Sequence, residues 1–243
     1  MLSWFKKLRA AKRPCCAALV AAAGSSSRMG GINKLLQPLD GIPVLVRTLT
    51  SLQQAEQVDE IIIATREEDL VEISRLCHTY GITKCTKVVR GGESRVHSVL
   101  LAALEAAPEM ELLAVQDGAR PLVTPELIDR TIAAASRCGA AAPAVPVKDT
   151  IKSVREDGSV EQTLDRSVLR AVQTPQVFEA SLLKAALQDA LEKELPITDD
   201  CSAVERLGKV VFLVEGDEEN LKVTTPIDLV LAEAILQARE ERT

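Results

Sequence analysis

Polarity along the chain switches between two periods. Short apolar runs, CAALVAA from Cys16, DEIIIAT from Asp59, TKVV from Thr86 and ELLAVQD from Glu111, alternate with longer amphipathic stretches: VLVRTLTSLQQA from Val44, EEDLVEISRLCHTYG from Glu67 and SRVHSVLLAALEAA from Ser94. Strands separated by stretches of helical period predict right-handed crossovers and a mostly parallel sheet with helices on both faces, an α/β fold. Ile61 to Ala64 and Leu112 to Val115 lack polar alternation, as central strands covered on both sides do. Later come EASLLKAALQDALEKE and TDDCSAVERLG as helices, KVVFLVEG as a last strand and PIDLVLAEAILQARE as a closing helix, with Thr225 as N-cap and Pro226 as its first residue.

One stretch breaks the alternation. From Val145 to Val172 polarity alternates on both sides of Asp157-Gly158, which predicts a two-stranded arm over about 145–172. An isolated hairpin is marginal in water, so the arm needs a surface to pack on: a twin arm of a second subunit, or its own domain.

Length adds scale to this pattern. The 243 residues, 47% of them hydrophobic, can bury one substantial core or two small ones, and no linker or repeat divides them. Residues 15–243 therefore read as a single domain behind a 1–14 extension. The extension, MLSWFKKLRAAKRP, carries five basic residues beside Trp4 and Phe5, a pattern shared by membrane-surface anchors, targeting segments and plain solvated tails. The following CCAALVAAAG is too short to span a bilayer. A net charge of -6 argues against broad nucleic-acid binding. Six scattered cysteines without a CxxC pair fit a reducing cytoplasm better than a zinc site or a disulfide framework.

In parallel sheets ligands bind outside the carboxyl ends of the strands. Three such ends exchange apolar residues for glycine and charge: AAAGSSSRMG, VVRGGESR and VQDGARP. The first is neither a Walker A loop, since Met29 stands five residues after Gly24, nor a dinucleotide loop, since Ser26 holds the second glycine place. What remains is small residues at Ala23 to Ser27, whose N–H groups can form an anion-binding concavity, followed by Arg28 and Lys34. Asp117 can hold a hydroxyl or a magnesium ion, with Arg120 near enough to take an anion or to pair with Asp117 across the turn. Lys222 stands after the final strand among Asp217, Glu218 and Glu219, where a charge-balanced turn is the simpler alternative.

AAAGSSSRMG...NKLL, GGESRVHSV, QDGARP, VPVKDTIK, LDRSVLRAVQTPQVF, ITDDCSAVE and EGDEENLKVTTPIDL, in this order from Ala17 onward, resemble the 2-C-methyl-D-erythritol 4-phosphate cytidylyltransferase family. The resemblance implies a Rossmann-like nucleotidyltransferase fold and transfer of a cytidylyl group from CTP to methylerythritol 4-phosphate, with release of pyrophosphate. It implies that Ala22, Ala23, Gly24, Gly91, Gly92, Glu93 and Ser98 line the CTP site, and that Arg28, Lys34, Arg166 and Lys222 are catalytic charges. It assigns Asp117, Arg120, Thr150, Arg166, Thr174 and Lys222 to the second substrate, with Asp117 also near magnesium. The resemblance also implies a homodimer whose arm crosses to the mate, with Thr150 and Arg166 completing the neighbour's site. Gln116 and Gly118 depart from the family's usual histidine and alanine, Glu219 stands where an aspartate is expected, and Asn33-Lys34-Leu35 replaces a Pro-Lys-Gln sequence. Two other functions fit parts of the pattern: cytidylyl transfer to another polyol phosphate such as ribitol 5-phosphate, and a nucleotide-binding scaffold without turnover.

Overall fold

A computed structural model describes residues 13–24 and 33–242 of the chain. Twelve strands and seven α-helices are found among them, and eight of the strands form one mixed sheet. Its centre is β1 (Cys16–Ala22), flanked in parallel by β4 (Glu60–Thr65) and β6 (Leu112–Asp117); β5 (Cys85–Arg90) extends it beyond β4. Beyond β6 lie antiparallel β11 (Gln176–Glu179) and then β7 (Ala140–Pro146), which also pairs antiparallel with β10 (Arg170–Val172) and parallel with β12 (Phe212–Glu215). The mostly parallel α/β architecture read from the sequence is thus the observed one.

The strand residues sort into two apolar layers by the pleat. Cys16, Ala18, Val20 and Ala22 face one layer, where they meet α1 (Val44–Gln54), α2 (Leu70–Thr79), α4 (Pro125–Cys138) and α7 (Pro226–Glu240). Ala17 and Leu19 face the other, with α3 (Arg95–Glu105), α5 (Ala180–Glu192) and α6 (Asp200–Arg206). Because both faces are dry, β1, β4 and β6 show no polar alternation. Helix α7 starts as the sequence predicts, with Thr225 as N-cap, Pro226 at its first turn and Asp228 closing a capping box.

The chain passes from β1 to β4 and β5 on one side, then returns to β6 on the other. This reversal of strand order opens a crevice at the carboxyl ends of β1 and β6, where Ala21 lies opposite Asp117 and the Gly118 N–H donates to the Ala21 carbonyl at 3.1 Å.

The arm is narrower than its sequence pattern. Its ends belong to the main sheet, where Arg170 pairs with Pro146 and Val172 with Ala144. Only β8 (Lys152–Val154) and β9 (Val160–Thr163) form the hairpin. Between them the Arg155 N–H donates to Ser159, Asp157 accepts from the Ser159 N–H at 2.8 Å, and Gly158 takes φ +83°, which favours glycine at the turn. The short β2 (Pro38–Leu39) and β3 (Ile42–Pro43) form a small separate ribbon.

Candidate active site

A cavity of about 320 Å³ occupies the crevice. The sequence-predicted Ala23, Gly24, Lys34, Gly92, Glu93, Ser98, Asp117 and Lys222 all line it, so segments far apart in the chain converge on one site. Ala22 does not: its side chain points into an apolar layer, and the pleat presents Ala21 instead. Gly91 stands behind the wall, where a Cβ would fall 2.6 Å from the Ala23 Cβ and 2.9 Å from the Ser98 Oγ. Glycine is therefore required for the β5–α3 loop to approach β1 so closely. Arg28 lies outside the described residues.

The β5–α3 loop is fixed by its own hydrogen bonds. Ser94 caps α3 by accepting from the His97 N–H at 3.1 Å. Ser98 accepts from the Gly92 N–H at 3.0 Å and donates to the Ser94 carbonyl at 2.8 Å, which leaves the loop rigid against the cavity.

Asp117 is the electrostatic hub. Its Oδ2 lies 2.7 Å from Lys222 Nζ and 3.8 Å from Arg120 Nε, and its Oδ1 lies 3.5 Å from Arg95 Nη2. Burial alone would push this carboxyl up, but Lys222, then Arg95 and Arg120, hold it below the ordinary range, so it is an anion at neutral pH. The Asp117 N–H donates to the Thr174 hydroxyl at 3.2 Å, which ties the end of β6 to the segment entering β11.

Arg120 pairs only distantly with Asp117. Its Nη1 donates to the Asn220 carbonyl at 2.5 Å, and burial pushes the guanidinium down from its ordinary value. Asn220 donates to the Thr174 carbonyl at 3.1 Å, and Gln173 exchanges hydrogen bonds with the Asp217 backbone. These contacts deliver Lys222 to Asp117. Glu219 faces away from the cavity and accepts from Arg239 at 2.7 Å and Arg242 at 2.8 Å, so it anchors this loop to the end of α7.

Thr150 and Arg166 are exposed on the arm, and neither lines the cavity within the one chain. Arg166 donates to the Lys148 carbonyl at 2.6 Å, and Lys148 pairs with Glu218. Val154, Val160 and Val168 are all more than half exposed, so the arm buries little apolar surface against its own chain.

Two residues that the sequence reading passed over belong to the hub. Arg95 opens α3 and lines the cavity; burial would lower its pKa, but Asp200 and Asp117 raise it. Asp200 opens α6, is fully buried, and lies 2.7 Å from Arg95 Nη2. Both stood inside quoted motifs, GGESR and TDDC, but their meeting depends on tertiary structure.

Among the described residues no group of three or more His, Cys, Asp or Glu side chains could hold a metal ion. The Asp117 oxygens already face three cations. A carboxylate so engaged offers little to a metal ion held by protein ligands alone.

A model of the family described as 2-C-methyl-D-erythritol 4-phosphate cytidylyltransferase matches residues 16–238. The protein of that name from Bacillus cytotoxicus is 44% identical over 222 residues, covering 91% of this chain and 97% of its own. The crystal structure of 4-diphosphocytidyl-2C-methyl-D-erythritol synthase from Anaerococcus prevotii superposes with a TM-score of 0.82 at 31% identity, covering 92% of this chain and 96% of that one. That of 2-C-methyl-D-erythritol 4-phosphate cytidylyltransferase from Thermus thermophilus gives 0.74 at 32% identity, covering 91% and 98%. On this evidence the chain belongs to the 2-C-methyl-D-erythritol 4-phosphate cytidylyltransferase family.

Proposed function

We propose that the protein transfers the cytidylyl group of CTP to 2-C-methyl-D-erythritol 4-phosphate, a step of non-mevalonate isoprenoid precursor synthesis. The observation that carries this reading is the convergence of the Gly92–Ser98 loop, Lys34 and the Asp117–Lys222 pair on one cavity at the point where strand order reverses.

In the reaction a phosphate oxygen of the polyol attacks the α-phosphorus of CTP. A new P–O bond forms, the bond to the β-phosphate bridging oxygen breaks, and its electron pair leaves with pyrophosphate. The attacking phosphate is already an anion, so no strong base is needed. The barrier lies in bringing two anions together and stabilising the charge that develops. Lys34, with Arg28 six residues before it in the sequence, neutralises the triphosphate. Gly92, Glu93 and Ser98 frame the cytosine and ribose, and Gly91 behind them lets their loop come close to β1.

Asp117 accepts a hydrogen bond from a substrate hydroxyl and Lys222 receives the polyol phosphate, while Arg120 and Thr174, assigned to the same substrate, stand buried behind the cavity wall and hold these two in place. Magnesium enters as the counter-ion of CTP. Thr150 and Arg166 act from the arm of a second subunit, which supplies the homodimer with its purpose: the exposed arm finds its packing surface and each site gains a further cation. The reaction belongs in the cytoplasm, where six free cysteines stay reduced. No described helix is long and apolar enough to cross a membrane.

The test is pyrophosphate release by the purified protein with CTP, magnesium and methylerythritol 4-phosphate, run beside ribitol 5-phosphate. Release that requires all three supports the reading. Absence of turnover by well-folded protein, or preference for ribitol 5-phosphate, overturns it.

A further inference from the structure

Asp200 is a fully buried carboxyl that the reaction above does not use; burial pushes its pKa up, and the guanidinium of Arg95 opposes that rise. It is the first residue of α6, whose N-cap Asp199 accepts from Ser202 at 2.9 Å and from Gln176 at 2.8 Å, so its backbone is firmly placed. Neither of its carboxylate oxygens finds a well-aligned hydrogen-bond donor among the described residues. Its close ionic partner is Arg95, whose Nη2 lies 2.7 Å from Asp200 Oδ2 and 3.5 Å from Asp117 Oδ1. One guanidinium nitrogen thus faces two carboxylates, and it sits nearer the one that does not line the cavity.

That distribution matters because an arginine and a carboxylate otherwise tend to close into a two-point fork that occupies both oxygens. Lys222 already takes Oδ2 of Asp117. A fork from Arg95 would load Oδ1 with a cation as well, and so block the side from which a ligand hydroxyl could reach that oxygen. Asp200 competes for the same guanidinium, and a fully buried carboxylate holds its cationic partner strongly.

We propose that Asp200 and Arg95 form a positioning pair: Asp200 holds the guanidinium back from Asp117, so that Oδ1 stays open to a hydroxyl of the bound substrate. The inference rests on the function proposed above for Asp117. Asp200 touches no substrate and acts through Arg95.

The experiment compares wild type, Asp200→Asn and Asp200→Asn/Arg95→Gln. In a crystal structure of Asp200→Asn without substrates, Arg95 should move onto Asp117 with both oxygens engaged. In turnover assays with CTP and methylerythritol 4-phosphate, that variant should raise KM for at least one substrate about tenfold, with kcat changed less than about threefold. Removing the released guanidinium in the double variant should return KM to within about threefold of wild type, which a purely structural role would not do. An unmoved Arg95, an unchanged KM, or a double variant no better than the single one overturns the proposal. If Asp200→Asn does not fold, the double variant, with neither charge buried, decides: a KM raised about tenfold there would mean that Arg95 itself binds substrate. Wild-type turnover alone judges the proposed function, whereas the position of Arg95 in the variant is read without any substrate.

Discussion

Replacing Lys222 by alanine tests the hub most directly. Its ammonium is 2.7 Å from Asp117 Oδ2, a separation at which unit charges attract by ~6 kcal/mol at an effective dielectric of about 20. Most of that is offset. The Lys222 side chain is 39% exposed and screened by water, and Arg95 and Arg120 remain 3.5 and 3.8 Å from the carboxylate after the lysine is gone. The net loss should fall between that of an exposed pair and that of a broken buried pair, about 1–2 kcal/mol. For a chain of this size that lowers Tm by about 3–6 °C.

The pH dependence gives the reasoning its sign. A carboxyl held below its ordinary value stabilises the fold above the unfolded-state pKa of about 3.9, and loses that contribution as pH falls through the folded value. Without Lys222 the folded value rises. The difference between wild type and Lys222→Ala should therefore be full at pH 7 and shrink below about pH 4, where Asp117 takes up its proton. Urea unfolding at several pH values measures it, and a cycle with Asp117→Asn should return a coupling energy of about 1–2 kcal/mol. Turnover should fall by about 10²–10³, as when one preorganised donor to developing charge is removed. A stability loss independent of pH, an equal loss in the Asp117→Asn background, or turnover within about twofold of wild type would refute the argument.

Other positions separate packing from chemistry. Lys34→Ala should cut kcat by about 10²-fold or more, checked by pyrophosphate release. Gly91→Ala should cost about 1–3 kcal/mol of stability, because its Cβ would press on Ala23 and Ser98, and should raise the KM for CTP. Thr174→Val should cost about 1–3 kcal/mol by leaving the buried Asp117 N–H without its acceptor, measured by chemical unfolding. Mixing Arg166→Ala with Lys34→Ala protein should restore about a quarter of wild-type activity, since half of randomly formed dimers are hybrids with one intact site each; hybrids without activity would place the arm in its own subunit's site.

What could be read from the chain depended on how local its cause was. Ile61 to Ala64 and Leu112 to Val115 are apolar without alternation because helices cover both faces, and that cause leaves a direct trace. The Thr225-Pro226 start of α7 is equally local. Helix α4 carries the same signature, Thr124 as N-cap, Pro125 next and Gly139 in the left-handed region at its end, so it was legible though not read. Strand β7 was not: AAAPAVP lacks β-branched runs and contains Pro143, and it is a strand because β10, β11 and β12 pair with it. The arm shows the reverse error, since its alternating pattern continues into β7 and β10 and made the hairpin look longer than it is. Asp117 could be found from its place at a strand end. Asp200 could not be connected to it, because two adjacent aspartates before a helix read as a cap and a first turn until the fold sets one of them against Arg95.

The same hub explains how the chain can keep several cations beside one cavity before any anion arrives. Arg95, Arg120 and Lys222 would repel one another if they shared the crevice alone; Asp117 lies within 4 Å of all three and Asp200 holds the first from behind. Asp117 fixes where Lys222 points and Asp200 ties Arg95 back, so the cations that meet the anions are Lys222 and Lys34, both on the cavity wall. That arrangement suits a reaction whose barrier is the meeting of two anions, because the stabilising charges are already oriented and need not be reorganised as charge develops. It also explains why the site needs no nucleophilic side chain: the polyol phosphate brings the nucleophile, and the protein's part is to hold fixed charge around its path.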